Sequence, residues 1–169
     1  MSFRNILLAV TLALAASVTL PAAATAEDVK HVAFFGFRLL NTSPEPTRPD
    51  EEQRVRDLDT LFRQKLDASG KFTILPIPSD MRQQIDAGPE ISNCNGCERD
   101  YGQRLGADLA AWGVVQKVSN LILNINLYME DVPTGKLVFV RSVDIRGNTD
   151  ESWQHGLSYM LRHYLFGEP

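Results

Sequence analysis

Residues 107–146 read ADLAAWGVVQKVSNLILNINLYMEDVPTGKLVFVRSVDIR, and they carry the clearest pattern in the chain. Ala107–Ser119 is apolar until Gln116-Lys117 and reads as a buried strand. Asn120–Val132 alternates. Leu121, Leu123, Ile125, Leu127 and Met129 fall on one side, and Asn124, Asn126, Tyr128 and Glu130 on the other. A period of two is the mark of a strand with one face buried. Pro133-Thr134-Gly135 supplies a hairpin turn, and Lys136–Arg146 returns. In this last strand the alternation slips. Val138 and Val140 share one parity, Val143 and Ile145 the other, so a bulge is expected near Arg141-Ser142. Three strands joined in succession make an antiparallel meander.

The upstream chain has a different rhythm. His31–Leu39 (HVAFFGFRL) is aromatic and branched, as a buried strand should be. Asn41–Asp50 holds Pro44, Pro46 and Pro49 and reads as a loop. Glu51–Ser69 places Val55, Leu58, Phe62 and Leu66 at helical spacing, with Leu61 beside them, and Gly70 ends the helix. Lys71–Leu75 is a second strand, closed by Pro76 and Pro78. Ser79–Ala87 reads as a short helix capped by Ser79 or Asp80 and stopped by Gly88-Pro89. Glu98–Leu105 reads as another, with Cys97, Tyr101 and Leu105 on one face and Gly106 at its end. A final helix begins near Thr149, with Trp153, Leu157, Met160, Leu161 and Tyr164 on one face. Asn148 and Glu151 there have capping-box spacing. Crossover units followed by a meander predict an α/β (α+β) fold. It is a mixed sheet of about five strands, with helices packed on it and one face partly wet.

The amino terminus reads as an address. Arg4 is followed by the uncharged apolar run Ile6–Leu20, then Pro21, then Ala24-Thr25-Ala26 with the small-x-small pattern of a signal-peptidase site. The run is shorter than the roughly 18 residues of a spanning helix. Residues 1–26 are therefore expected to be a signal peptide cleaved after Ala26, and residues 27–169 a single exported domain. No cysteine lies beside the cleavage site, so no lipid anchor is expected there. Losing Arg4 moves the formal charge from −4 to about −5. A mildly acidic chain without a basic stripe argues against nucleic acid, and without a polybasic patch against membrane-surface binding.

The two cysteines form one motif, Cys94-Asn95-Gly96-Cys97, just before a predicted helix. An oxidising compartment favours a disulfide. The leading reading is a local clip. It closes a ring of only four residues, so the loop-entropy expression credits it with about 2 kcal/mol at most. Two alternatives stand beside it. A helix start suits a redox thiolate, and the spacing suits a metal, although a zinc site needs four ligands and only one such pair exists.

Two further groups are candidate binding residues. Arg146, Asn148, Asp150 and Glu151 lie in the polar turn RGNTDESW, which could hold an anion at a helix start or a hard cation, or simply cap the helix. Asn124 and Asn126, with Tyr128, share one strand face, where asparagine is disfavoured and asks for a reason. The histidines are scattered. No nucleophile elbow, zinc helix, phosphate loop or paired carboxylate is present, and no cofactor is expected.

Three runs carry a resemblance: Leu105-Gly106-Ala107-Asp108, then WGVVQKVSNLIL at 112–123, then RGNTDESW at 146–153. Together with Cys94–Cys97 they resemble an uncharacterised family of exported proteobacterial proteins, the domain of unknown function 2380. That resemblance implies a Gram-negative periplasm and no particular activity. The passage Leu105–Gly113 is similar, more distantly, to the amino-terminal domain of TolB and the periplasmic domain of the curli secretion lipoprotein. Those domains act in envelope assemblies and bind proteins. The expectation is a non-catalytic periplasmic binding or accessory protein with an envelope or exported protein partner. It would meet that partner through the Asn41–Asp50 loop or the Asn124/Asn126 face. The alternatives are a thiol–disulfide protein using Cys94 and Cys97, and a metal-binding protein using Asn148, Asp150 and Glu151.

Overall fold

The computed structural model describes residues 28–167; the expected leader and its cleavage site lie outside them. The elements are β1 (Lys30–Asn41), α1 (Pro49–Ser69), β2 (Phe72–Ile74), α2 (Ser79–Ala87), α3 (Cys97–Leu105), β3 (Leu109–Lys117), β4 (Leu123–Asp131), β5 (Lys136–Ile145) and α4 (Asp150–Met160). A single sheet has the order β2-β1-β3-β4-β5. β1 runs parallel to β2 and β3, and β3-β4-β5 is the antiparallel meander. This is the mixed α+β sheet that the sequence predicts.

Two apolar layers explain the two rhythms. Leu58, Phe62 and Leu66 of α1 and Trp153, Leu157 and Met160 of α4 cover one face, packing on Phe34, Val115, Ile125 and Leu127. Met81 and Ile85 of α2, with Tyr101 and Leu105 of α3, cover the other face, on Ala33, Phe35, Ala110 and Trp112. β3 is buried on both sides, so it reads as an unbroken apolar run. β4 is fully covered on one side only, so it alternates.

The local departures have local causes. α1 begins two residues early, because Pro49 suits the first helical position. Pro78, not Ser79 or Asp80, holds the cap position of α2. Leu121 and Ile122 lie in the β3–β4 turn, 73% and 60% exposed, and so fall outside the alternation. In β5 the register shift leaves Val138 as the extra residue between Leu137 and Phe139. The bulge is there and not at Arg141-Ser142. Phe139, Val143 and Ile145 then face the α1/α4 layer, while Val138 and Val140 are exposed. At α4 the capping residue is Thr149, whose side chain accepts from the Ser152 N–H at 3.2 Å; Asn148 is used elsewhere. After Met160 the helix widens, with the Phe166 N–H donating to Leu161 O. That rotates the face and leaves Tyr164 exposed rather than buried.

A second bulge lies in β1. Phe34 pairs with Ala111 and Phe37 with Gly113, so β1 carries one extra residue. Gly36 there has φ +99°, and the freed Phe37 N–H donates to Asp59 Oδ1 of α1 at 2.6 Å. Burial pushes the Asp59 carboxyl up, partly opposed by this bond. The bulge turns both Phe34 and Phe37 into the α1/α4 layer, where both rings pack on Phe62. Phe37 lies directly over Gly113, leaving no room for a Cβ. Gly113→Ala should therefore cost about 1–3 kcal/mol in urea unfolding. Phe37→Leu should recover part of that loss in the double variant; equal losses with and without Phe37→Leu would show that the ring is not the obstacle.

Candidate functional site

The seven candidate binding residues do not form one site. They fall into three places.

The first is a polar node at the sheet end where β1 and β3 finish and the amino ends of α1 and α4 meet. Lys117 and Glu51 are both fully buried there, with Lys117 Nζ 2.7 Å from Glu51 Oε1. Glu51 Oε2 accepts from the Arg48 N–H at 2.9 Å, closing the start of α1. Asn148 Nδ2 donates to Glu51 Oε1 and to Asn120 Oδ1. Asn148 Oδ1 accepts from Trp153 Nε1 at 3.0 Å and from Arg54 at 3.3 Å. Arg54 also bonds Asp150 at 2.6 Å and Asp50 at 2.8 Å. So Asn148 is committed to the fold, while Asp150 pairs with Arg54 from the surface, its side chain 69% exposed. An amide oxygen already holding two donors, one of them a cation, does not suit the metal reading of Asn148, Asp150 and Glu151.

Glu51, Arg54 and Lys117 had no signal in the sequence as a group. Lys117 looks like the polar end of an apolar strand, and Glu51 and Arg54 like the wet side of an amphipathic helix. The one clue is RGNTDESW, in which an asparagine and a tryptophan five residues apart meet at the node.

The second place is the sheet face opposite α1 and α4. α2 and α3 cover its β1–β3 half. From buried Trp112 and Val114 of β3 outward, the cross-strand rows run Trp112, Tyr128 and Val140, then Val114, Asn126 and Ser142, then Gln116, Asn124 and Asp144. Trp112 and Tyr128 stack, with ring centroids 5.4 Å apart. Asn126 Nδ2 donates to Asn124 Oδ1 at 2.6 Å, which accounts for the pair on this strand. The third place is a groove of about 550 Å³ between β5 and α4, to which Arg146, Glu151, His155 and Tyr159 contribute.

Cys94 and Cys97 are joined by a disulfide at the entry to α3, with Cα atoms 5.5 Å apart. Asn95 and Gly96 both adopt positive φ to make the turn. Glu98, next in the chain, is buried, with Oε2 3.1 Å from Cys94 Sγ. Glu130 of β4 is buried too, and desolvation, then the nearby Glu98 charge, push its carboxyl up. The Asn41–Asp50 loop, the other proposed contact segment, is mostly exposed and is braced by bonds within itself and to Asn120. Asn41 bonds Glu45 O and Thr47, and Glu45 accepts from Asn120.

The node has a pH signature. Burial pushes the Glu51 carboxyl up, but bonds from Lys117, Arg48 and Asn148 outweigh it and hold it below its ordinary value of 4.5. Its stabilisation is therefore complete above that value and is lost as pH falls through the lower folded value. Glu51→Gln should cost about 3 kcal/mol or more at neutral pH, because it strands Lys117. The gap to wild type should narrow in acid, read from denaturant midpoints across pH. A gap that stays constant in acid would show that the carboxylate charge is not what holds Lys117.

No curated protein matches the sequence. Several solved structures share the fold. The LpoB C-terminal domain from Salmonella enterica is 14% identical; the match covers 73% of this chain and 87% of that one, with a TM-score of 0.51. Lipoprotein GNA1162 from Neisseria meningitidis is 16% identical, with 82% and 94% covered and a TM-score of 0.50. TolB from Acinetobacter baumannii is 13% identical, with 84% and 29% covered and a TM-score of 0.46. At these identities the first two likenesses are of fold alone, and the third carries no argument. The family model for a protein of unknown function, DUF2380, matches residues 30–165. The chain belongs to that family.

Proposed function

We propose that the protein is an exported periplasmic accessory protein, without catalysis of its own, that binds an envelope protein through the uncovered half of its sheet. The uncovered rows themselves carry this reading. On that side α3 reaches β4 only at its Glu130–Val132 end, and neither α2 nor α3 covers β5. They leave the Tyr128 ring, the Asn124–Asn126 amides, Ser142 and Val140 facing outward beside an unpaired edge strand. A flat face of amides and hydroxyls around an aromatic is suited to a protein surface that supplies hydrogen-bond partners. The unpaired β5 edge would let a partner strand extend the sheet. Support for the address comes from the leader pattern of residues 1–26, from the disulfide, and from the fold shared with a lipoprotein. No helix among the described residues is long and apolar enough to cross a membrane.

In this reading the Cys94–Cys97 bridge pins the entry to α3 and keeps that helix over the β1–β3 half of the face.

A photo-crosslinking residue at Ser142 should capture one envelope protein in living cells, and the same residue at exposed Glu52 on α1 should not. The mature protein should begin at Glu27 and fractionate with the periplasm. Equal capture from both positions, or none from Ser142 in a strain whose deletion leaves the envelope unchanged, would sink the proposal.

A further inference from the structure

We propose that reduction of the Cys94–Cys97 disulfide turns the first turn of α3 into a zinc-binding site made of Cys94, Cys97, Glu98 and Glu130. Two independent observations meet there. The ligand atoms of Cys94, Cys97 and Glu98 all lie within 4.8 Å of one another, the one such group of three found among the described residues. Glu130 is only 8% exposed, and its Oε1 is the single buried side-chain polar atom among those residues with no hydrogen-bond partner.

Glu130 lies outside that group of three, on the sheet face beneath the start of α3, and would complete the site by turning towards it. Gly102 rests on Val132 and on Ala110, the cross-strand partner of Glu130. Glu98 stands one helical turn before Gly102, on the same side of α3, and so over Glu130. Arg99, the nearest candidate cation, is occupied elsewhere: its guanidinium donates to the Val132 and Pro133 carbonyls. A buried oxygen without a donor is costly, and a disulfide sulfur has no proton to offer Glu98. A divalent cation between the four groups would answer both deficits.

The donor set selects the metal. Two thiolates with x2 spacing and two carboxylates make four ligands, the number a closed zinc site takes. Calcium and magnesium avoid sulfur. The chemistry balances in two steps. A dithiol reductant gives two electrons and two protons to the S–S bond and leaves as its own disulfide. Zinc then replaces the two thiol protons, which pass to solvent. The oxidised protein therefore has no site, and metal loading reports the thiol state of its surroundings.

The test uses the mature protein, reduced with dithiothreitol and freed of it by anaerobic gel filtration. Cobalt titration should give a thiolate-to-cobalt charge-transfer band that saturates at one equivalent and is displaced by one equivalent of zinc. The oxidised protein should give no band. Zinc should raise the thermal midpoint of the reduced protein. Glu130→Gln and Glu98→Gln should each weaken zinc by about tenfold or more, while each oxidised variant keeps the near-ultraviolet circular dichroism of the wild type. Absence of the band in the reduced wild type would overturn the proposal. So would zinc binding undiminished in both glutamine variants, which would reduce the site to a bare pair of thiols.

Discussion

Lys117 and Glu51 sit out of water, and each charge costs several kcal/mol to bury. Their mutual attraction offsets that cost only because the remaining polar valences are filled. Glu51 receives Lys117, Asn148 and the Arg48 N–H. Asn148 in turn receives Trp153 and Arg54. The network fixes three things at once: the start of α1, the start of α4, and the carboxyl end of β3. Those are the points from which the α1/α4 layer is hung. An apolar core alone would hold the two helices against the sheet, but it would leave their slide along the strands loosely specified.

Much of this architecture was legible because burial leaves a period. β3, covered twice, is a solid apolar run; β4, covered once, alternates; α1 repeats its apolar positions at helical spacing. What was not legible depends on partners far away in the chain. Lys117 follows Gln116 at the end of a strand, and only the arrival of Glu51, 66 positions earlier, makes it an interior residue. The β1 bulge is likewise a tertiary event, since Asp59 of α1 captures the N–H that Gly36 releases. The slip in β5 was visible as a conflict of parity, but its position at Val138 follows from pairing with β4. Asn148 had the spacing of a cap and became a hub instead, because Thr149 could cap and Asn148 could reach inward.

The candidate residues divide on the same logic. Polar side chains chosen for being unusual include both those that are exceptional because the fold consumes them and those that are exceptional because they face out. Asn148 belongs to the first kind; Asn124, Asn126 and Tyr128 line the partly open rows. What separates the two is where helices lie: the starts of α1 and α4 enclose Asn148, while no helix covers Asn124 and Asn126, and coverage is a property of the folded layers. Glu130 reads in the sequence as part of the polar side of β4 and Glu98 as a helix glutamate, so the burial of both went unseen for the opposite reason. Each is an ordinary glutamate in its own element, and the pair exists only where α3 crosses β4.

The span of the node has a consequence for how the chain reaches its final form. Its members lie 66 and 97 positions apart, and the most distant of them, Asn148 and Trp153, come near the carboxyl end. A chain shortened before Asn148 would carry Lys117 and Glu51 without the amide and indole that complete them, and would lose the whole helix side of Trp153, Leu157 and Met160. Local pieces such as α1 or the β4–β5 hairpin can form as soon as they are made, since their contacts are close in sequence. Completion cannot. The fold is closed by the segment from Asn148 to Met160, like a drawstring, and a chain cut ahead of it is left open to proteases.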